Sequence, residues 1–163
     1  MRARLALPSA LALAGALMLG ACGQPAPLYV DQAWISAATS PDKPSAGYFV
    51  IHGGEEAVQL QAVQTEVAQR VEMHDSVMQN GMMTMQPLNR VDVPAKGKVA
   101  FAPGGKHLML FGLNPGAVQM GKASLTFIFS NGDRIIVDAK IQKQGAPAPA
   151  AANDDEKGEH DEH

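Results

Sequence analysis

An all-β domain of the sandwich or barrel kind is what this chain of 163 residues predicts, and three observations predict it. From Leu28 onward, short apolar runs recur between clusters of Gly, Pro, Asn and Asp. Two of those runs alternate with period two: Leu125, Phe127 and Phe129 share one face, and so do Ile135, Val137, Ala139 and Ile141. No long stretch repeats with helical period. Alternation between turn signals marks half-buried strands, and many such strands at regular spacing mark a sandwich or barrel.

Residues 1–21 precede that domain and read as an export signal. Arg2 and Arg4 give a positive start, and Leu5 to Leu19 give an apolar run of 15 residues, too short and too poorly flanked for a transmembrane helix. The run ends in Leu19-Gly20-Ala21-Cys22, which resembles a bacterial lipobox. By that resemblance Cys22 is lipidated, becomes the mature N-terminus and ties the protein to a membrane; several acyl chains hold stably where one holds marginally. The alternative, ordinary secretory cleavage near Ala21, would leave a free thiol. Residues 22–27 follow as a short Pro-containing tether.

The β domain is expected over residues 28–144, a length that buries a real core. Strands are predicted at Tyr29–Ala37, Ala46–His52, Val58–Gln64, Val71–Val77, Met82–Leu88, Val99–Ala102, His107–Leu113, Ala123–Phe129 and Arg134–Ile141. Asn80-Gly81 and Asn131-Gly132 are each a two-residue hairpin signal, because both central positions of a type I′ turn need φ above zero. Residues 145–163 change character, Ala/Pro-rich and then acidic, with no apolar run to bury; they are expected to be a disordered tail.

Composition excludes several function classes. Without Arg2 and Arg4 the 13 basic residues fall to 11 against 16 acidic ones, a net charge of −5 with His neutral. The basic residues are scattered, so nucleic-acid binding is not expected. Cys22 is the only cysteine, which rules out an intrachain disulfide, a Cys-x-x-Cys redox pair and a Cys-based zinc site. Blue-copper electron transfer needs a thiolate beside two His, and the single thiol lies in the lipobox. No Ser/His/Asp set or paired carboxylates stand out, so the chain is not expected to be an enzyme.

What remains is sulfur and imidazole. His74 is followed by Met85 after ten residues, by His107 after twenty-one more, and by Met109 two positions on. Thioether sulfur is soft and uncharged and suits Cu(I) far better than Zn(II), Mg(II) or Ca(II). If Asn80-Gly81 closes a two-residue hairpin, Gln79 pairs with Met82, Met78 with Met83, Ser76 with Met85 and His74 with Pro87. His74 and Met85 are then diagonal neighbours on one face, roughly 7–8 Å apart at the backbone. A longer loop or a bulge would change that register. His107 and Met109, two apart on a strand, aim to one side, and Leu108 and Leu110 to the other. Pro103-Gly104-Gly105 is a turn that brings the start of their strand toward the hairpin.

Met78 and Met83 share the expected ligand face, either as auxiliary sulfurs or as an apolar skirt around the site. Met73 points the opposite way, into the core. His52, without a partner at ligand spacing, reads as a strand-end residue. His160 and His163 stand among acidic side chains in the tail; imidazole with carboxylate suits Cu(II), and a solvated acidic tail is the plainer alternative.

The segments VEMHDSVMQNGMMTMQPL (residues 71–88) and FAPGGKHLMLFGL (residues 101–113) resemble the two signature segments of the PCuAC family, periplasmic copper chaperones that serve the CuA centre of cytochrome c oxidase. All four ligand positions match without a gap, and the resemblance runs from about Leu28 to Lys143. It implies a cupredoxin-like Greek-key fold and the meeting of His74, Met85, His107 and Met109 around one Cu(I). It implies further a carrier that delivers copper to the CuA subunit, directly or through a Sco-like thiol protein; the chain is expected to be a monomer. Copper sequestration for tolerance, and a metal-free β-sandwich interaction lipoprotein, are the other readings open to the sequence.

Overall fold

Ten strands and one short helix make up the computed structural model, which describes residues 24–40 and 42–149. The export signal, Cys22, His160 and His163 lie outside the described residues. In chain order the elements are β1 (Tyr29–Ala37), β2 (Ser45–His52), β3 (Val58–Gln64), β4 (Arg70–Gln79), β5 (Met82–Leu88) and β6 (Val91–Val93). They continue with β7 (Lys98–Phe101), β8 (His107–Phe111), α1 (Pro115–Met120), β9 (Lys122–Phe129) and β10 (Arg134–Lys143).

All nine predicted strands are present, and the described residues are nearly all β, as expected. Two elements were not foreseen. One is β6, a strand of three residues in which Val91 and Val93 are buried and Asp92 is exposed. The other is α1, six residues long, capped by the Asn114 side chain accepting from Gly116 N and closed by Gly121 at φ +72°.

The strands form one sheet in the order β5-β4-β8-β2-β1-β10-β9-β3-β6, with β7 also paired to β2. Only Asn89 and Arg90 separate β5 from β6 in the chain, yet these strands end opposite edges of that order. Three residue steps span about 10 Å at most, so the edges come close and the sheet curls over on itself. Its two layers enclose a core of Ile35, Phe49, Ile51, Leu60, Phe101, Leu108, Leu110, Leu125, Phe127 and Phe129, all at most 2% exposed. Phe49 stacks on Phe101 and meets Phe127 edge-on, with centroids 4.2 and 4.7 Å apart, in the range where aromatic pairs attract beyond simple burial.

The β9–β10 hairpin forms where Asn131-Gly132 predicts it, but the loop is three residues, not two. Gly132 N donates to Phe129 O, Phe129 N donates to Asp133 O, and Gly132 carries φ +92°. Asn131 spends its side chain on Asp133, leaving the single positive-φ position to Gly132. That is a type I turn followed by a left-handed residue, the next commonest hairpin connection.

Candidate metal centre

β4 is the middle strand of the candidate site, between β5 and β8. Asn80 and Gly81 have φ +50° and +78°, as a type I′ turn requires. The resulting register is the one the sequence predicts: Gln79 opposite Met82, Met78 opposite Met83, Ser76 opposite Met85 and His74 opposite Pro87. On its other side β4 pairs with β8, placing His74 opposite His107, Met73 opposite Leu108 and Glu72 opposite Met109. Residues directly opposite share a face and neighbours along a strand do not. Met73, Leu108 and Leu110 therefore enter the core, where all three are buried. His74, Met85, His107 and Met109 stand together on the outer face of three adjacent strands.

The alternation of ladder bonds explains Pro87. A two-residue turn closes on a hydrogen-bonded pair, here Gln79 with Met82, so every second pair, including His74 with Pro87, is not hydrogen-bonded. The Pro87 nitrogen thus faces away from β4, on the open edge of an outer strand, where the missing N–H costs nothing. The same alternation turns the Ser76 N–H toward β8, and it donates to the Gly105 carbonyl at 3.2 Å. The turn before β8, with Gly104 at φ +84° and Gly105 N donating to Ala102 O, is thereby held against the hairpin.

The two imidazoles lie with ring centroids 6.1 Å apart and planes inclined by 27°. Metal–nitrogen bonds of about 2 Å, added to each ring's radius, put two rings on one ion roughly 5–6.5 Å apart. Both rings are held from behind. His107, 7% exposed, donates from Nδ1 to the Gly105 carbonyl at 2.9 Å, leaving the Nε2 lone pair for a ligand. His74 donates from Nε2 to the Glu72 carboxylate at 3.0 Å. Its Nδ1 is buried and has no hydrogen-bond partner. An unsatisfied buried polar atom costs about 1–3 kcal/mol, and a metal ion is one group that satisfies it. Metal-bound His commonly donates its second N–H to a carboxylate or carbonyl, and both rings here do so.

The sulfurs flank this pair. Met109 sits across from Glu72, and Met85 across from Ser76, so each is one pair removed from His74 and a diagonal neighbour at roughly 7–8 Å. Met85 is 59% exposed, so the site opens toward the β5 edge. Among the described residues no three His, Cys, Asp or Glu side chains are grouped to hold a metal. The other side chains of this face that can donate to an ion are the two thioethers, whose sulfur suits soft ions.

Three residues around the site were missed by the sequence reading. Glu72 bonds His74 and also receives Arg70 Nε at 2.8 Å; it lies two residues before His74 on the same strand face, a spacing that could have found it. The Gly105 carbonyl, shared by Ser76 N and His107 Nδ1, gives no side-chain signal. Tyr48 extends the same outer face along β2, where Ala46 pairs with Met109. Its ring lies 4.5 Å from that of Trp34, and burial pushes its phenol pKa up. His52 is the last residue of β2, as predicted, six residues along the strand from Ala46, stacked on Tyr29 at 4.1 Å and bonded to Asp31. Met78 and Met83 face each other farther along the ribbon, 65% and 58% exposed.

Comparison with known proteins gives three findings. A family model described as putative lipoprotein LpqE-like matches residues 28–141; the PCuAC name that the sequence resemblance suggests appears instead among solved structures of similar fold. The putative lipoprotein Lxx21020 of Leifsonia xyli subsp. xyli (strain CTCB07) is 34% identical over 104 residues, 63% of this chain. That match spans 62% of the relative's length, less than two thirds. Among solved structures, the copper-bound PCuAC domain from PmoF2 superposes with TM-score 0.56 at 18% identity, over 71% of this chain and 92% of that one. The apo PCuAC domain from PmoF1 gives 0.56 at 24%, over 71% and 93%. Apo-DR1885 from Deinococcus radiodurans gives 0.54 at 21%, over 89% and 98%. At such identities the likeness establishes the fold, a cupredoxin-like β architecture.

Proposed function

The chain belongs to the LpqE-like family of putative lipoproteins, and from that membership and the outer face of β4 we propose a lipid-anchored, extracytoplasmic Cu(I) carrier. His74, Met85, His107 and Met109 are its ligands and Cys22 its anchor. The observation that carries the reading is the pair of imidazoles 6.1 Å apart, each bonded from behind and each left with one nitrogen free. A copper-bound PCuAC domain of the same fold lends support.

Two neutral imidazoles and two thioethers hold Cu(I) without any thiolate, so the loaded site has charge +1. Only the imidazoles compete with protons, which limits the pH dependence of affinity to them. A partner rich in thiolates takes the ion by ligand exchange, because thiolate is the stronger soft donor. The direction suits a donor rather than a final sink. The CuA subunit of cytochrome c oxidase, reached directly or through a Sco-like thiol protein, fits as the acceptor. No chemical step is catalysed.

The test is titration of the full chain with Cu(I) against a competing chelator. One tight ion per chain is expected, lost in Met85→Ala and Met109→Ala together. Failure to saturate near one tight ion sinks the reading. The acidic His160/His163 tail favours buffering for copper tolerance as a second reading; a deletion strain that loses copper resistance but keeps oxidase activity would select it.

A further inference from the structure

Beyond Ser76 the β4–β5 hairpin leaves the sheet. The last pair joining β4 to β8 is His74 with His107, whereas pairing with β5 continues to Gln79. Residues 76–86 thus form a two-stranded ribbon carrying no charged side chain and four methionines. Natural edge hairpins usually place charges or Pro at such a tip to discourage sticking. Methionine's ordinary structural use is to fill gaps in a core, and this explains Met73. It does not explain Met78, Met82, Met83 and Met85, which are 58–70% exposed.

Three of those four share one face. The pairs Gln79 with Met82 and Val77 with Thr84 are hydrogen-bonded by the turn's alternation, so Met78 with Met83 and Ser76 with Met85 are the closer, non-hydrogen-bonded pairs, with Cα atoms about 4.5 Å apart. Met85 is two residues from Met83, about 7 Å along the strand, and diagonal to Met78 at roughly 7–8 Å. Three flexible thioethers within that span can close on one soft ion, and Met82 alone points to the opposite face. Met85 is common to this triangle and to the set around His74.

We propose that Met78, Met83 and Met85 form a second, all-thioether Cu(I) subsite at the ribbon tip, through which the ion enters and leaves the His74/His107 site by way of Met85. This deepens the carrier reading and rests on it for the shared ligand. The chemistry separates the two positions. Imidazole must be deprotonated to bind, whereas thioether carries no proton to lose.

The experiment uses the full chain and Cu(I) with a competing chelator, in wild type, in Met78→Leu/Met83→Leu, in His74→Ala/His107→Ala, and in the fourfold combination. Leucine matches methionine in bulk and apolarity, and circular dichroism checks that every variant is folded. The double-His variant is expected to keep a weaker Cu(I) site whose affinity is the same at about pH 8 and about pH 5, and the fourfold variant to lose it by at least ~10-fold. In an otherwise intact chain, Met78→Leu/Met83→Leu should leave equilibrium affinity within about twofold but slow transfer to a dithiol acceptor several-fold. If the leucine pair changes neither the residual binding nor the transfer rate, the methionines are an apolar skirt and the subsite is refuted, with the four-ligand site untouched. If wild type lacks a tight ion but the pH-insensitive, Met78/Met83-dependent binding persists, the carrier reading fails and the tip subsite stands.

Discussion

Removing the carboxylate behind His74 tests how the site is held. Glu72 accepts from His74 Nε2 at 3.0 Å and from Arg70 Nε at 2.8 Å. Its bond places the His74 proton on Nε2 and leaves the Nδ1 lone pair without a partner, which is the donor the proposed site requires. Glu72→Ala frees the ring to rotate and to change tautomer. Loss of such a supporting group typically weakens metal binding 10–100-fold, or about 1.4–2.8 kcal/mol. The cost to folding is much smaller, because the Glu72 side chain is 39% exposed and ion pairs at that exposure contribute about 0–1 kcal/mol. Glu72→Gln, which keeps an acceptor but not the charge, should fall between. Chelator competition gives the affinity and urea unfolding the stability. Unchanged Cu(I) affinity in Glu72→Ala would refute the reasoning, as would a stability loss large enough to account for weaker binding.

Three further outcomes follow from the fold. Leu108 is fully buried behind His107 and Met109, and Leu108→Ala should cost about 2–5 kcal/mol in urea unfolding; a loss below 1 kcal/mol would mean the ligand strand is not anchored through the core. Gly53→Ala would bring a Cβ to 2.1 Å from the Pro94 carbonyl, so the backbone must shift, and destabilisation of about 1–3 kcal/mol is expected; a neutral substitution would contradict that packing. Glu55 accepts from Ala26 N at 2.7 Å and pairs with Lys96, and these contacts hold its carboxyl below the usual glutamate range. A depressed value means that the folded chain resists the proton more than the unfolded one. The contribution is therefore complete at neutral pH and lost as pH falls through the lowered value. Acidification should unfasten the Ala26 segment, seen as perturbed Ala26 and Glu55 resonances in NMR, and Glu55→Gln should abolish that transition.

Local signals in the sequence specify much of this molecule. Asn80-Gly81 set the β4–β5 register residue by residue, since a type I′ turn leaves no freedom in which positions pair. The two-residue spacing of His107 and Met109 set their shared face. The three-residue β6 was hidden because Val91-Asp92-Val93 is too short to show a period, and Pro94 ends it at once. The helix α1 was hidden because Pro115-Gly116 opens it with poor helix formers, and its cap, Asn114, reads equally well as a turn. Asn131-Gly132 misled by one residue because Asn131 bonded Asp133. The placement of His74 directly across from His107 had no local cause: 33 positions separate them, and only the curl of the whole sheet makes β4 and β8 neighbours. Glu72 could have been read from the two-residue rule applied to His74; the Gly105 carbonyl could not.

Copper K-edge absorption on the chain loaded with one equivalent of Cu(I) addresses the central claim most directly, because it distinguishes sulfur from nitrogen and oxygen neighbours. Two sulfur and two nitrogen scatterers are expected, with the sulfur signal reduced in Met85→Ala or Met109→Ala. A spectrum with nitrogen and oxygen neighbours alone would contradict the account.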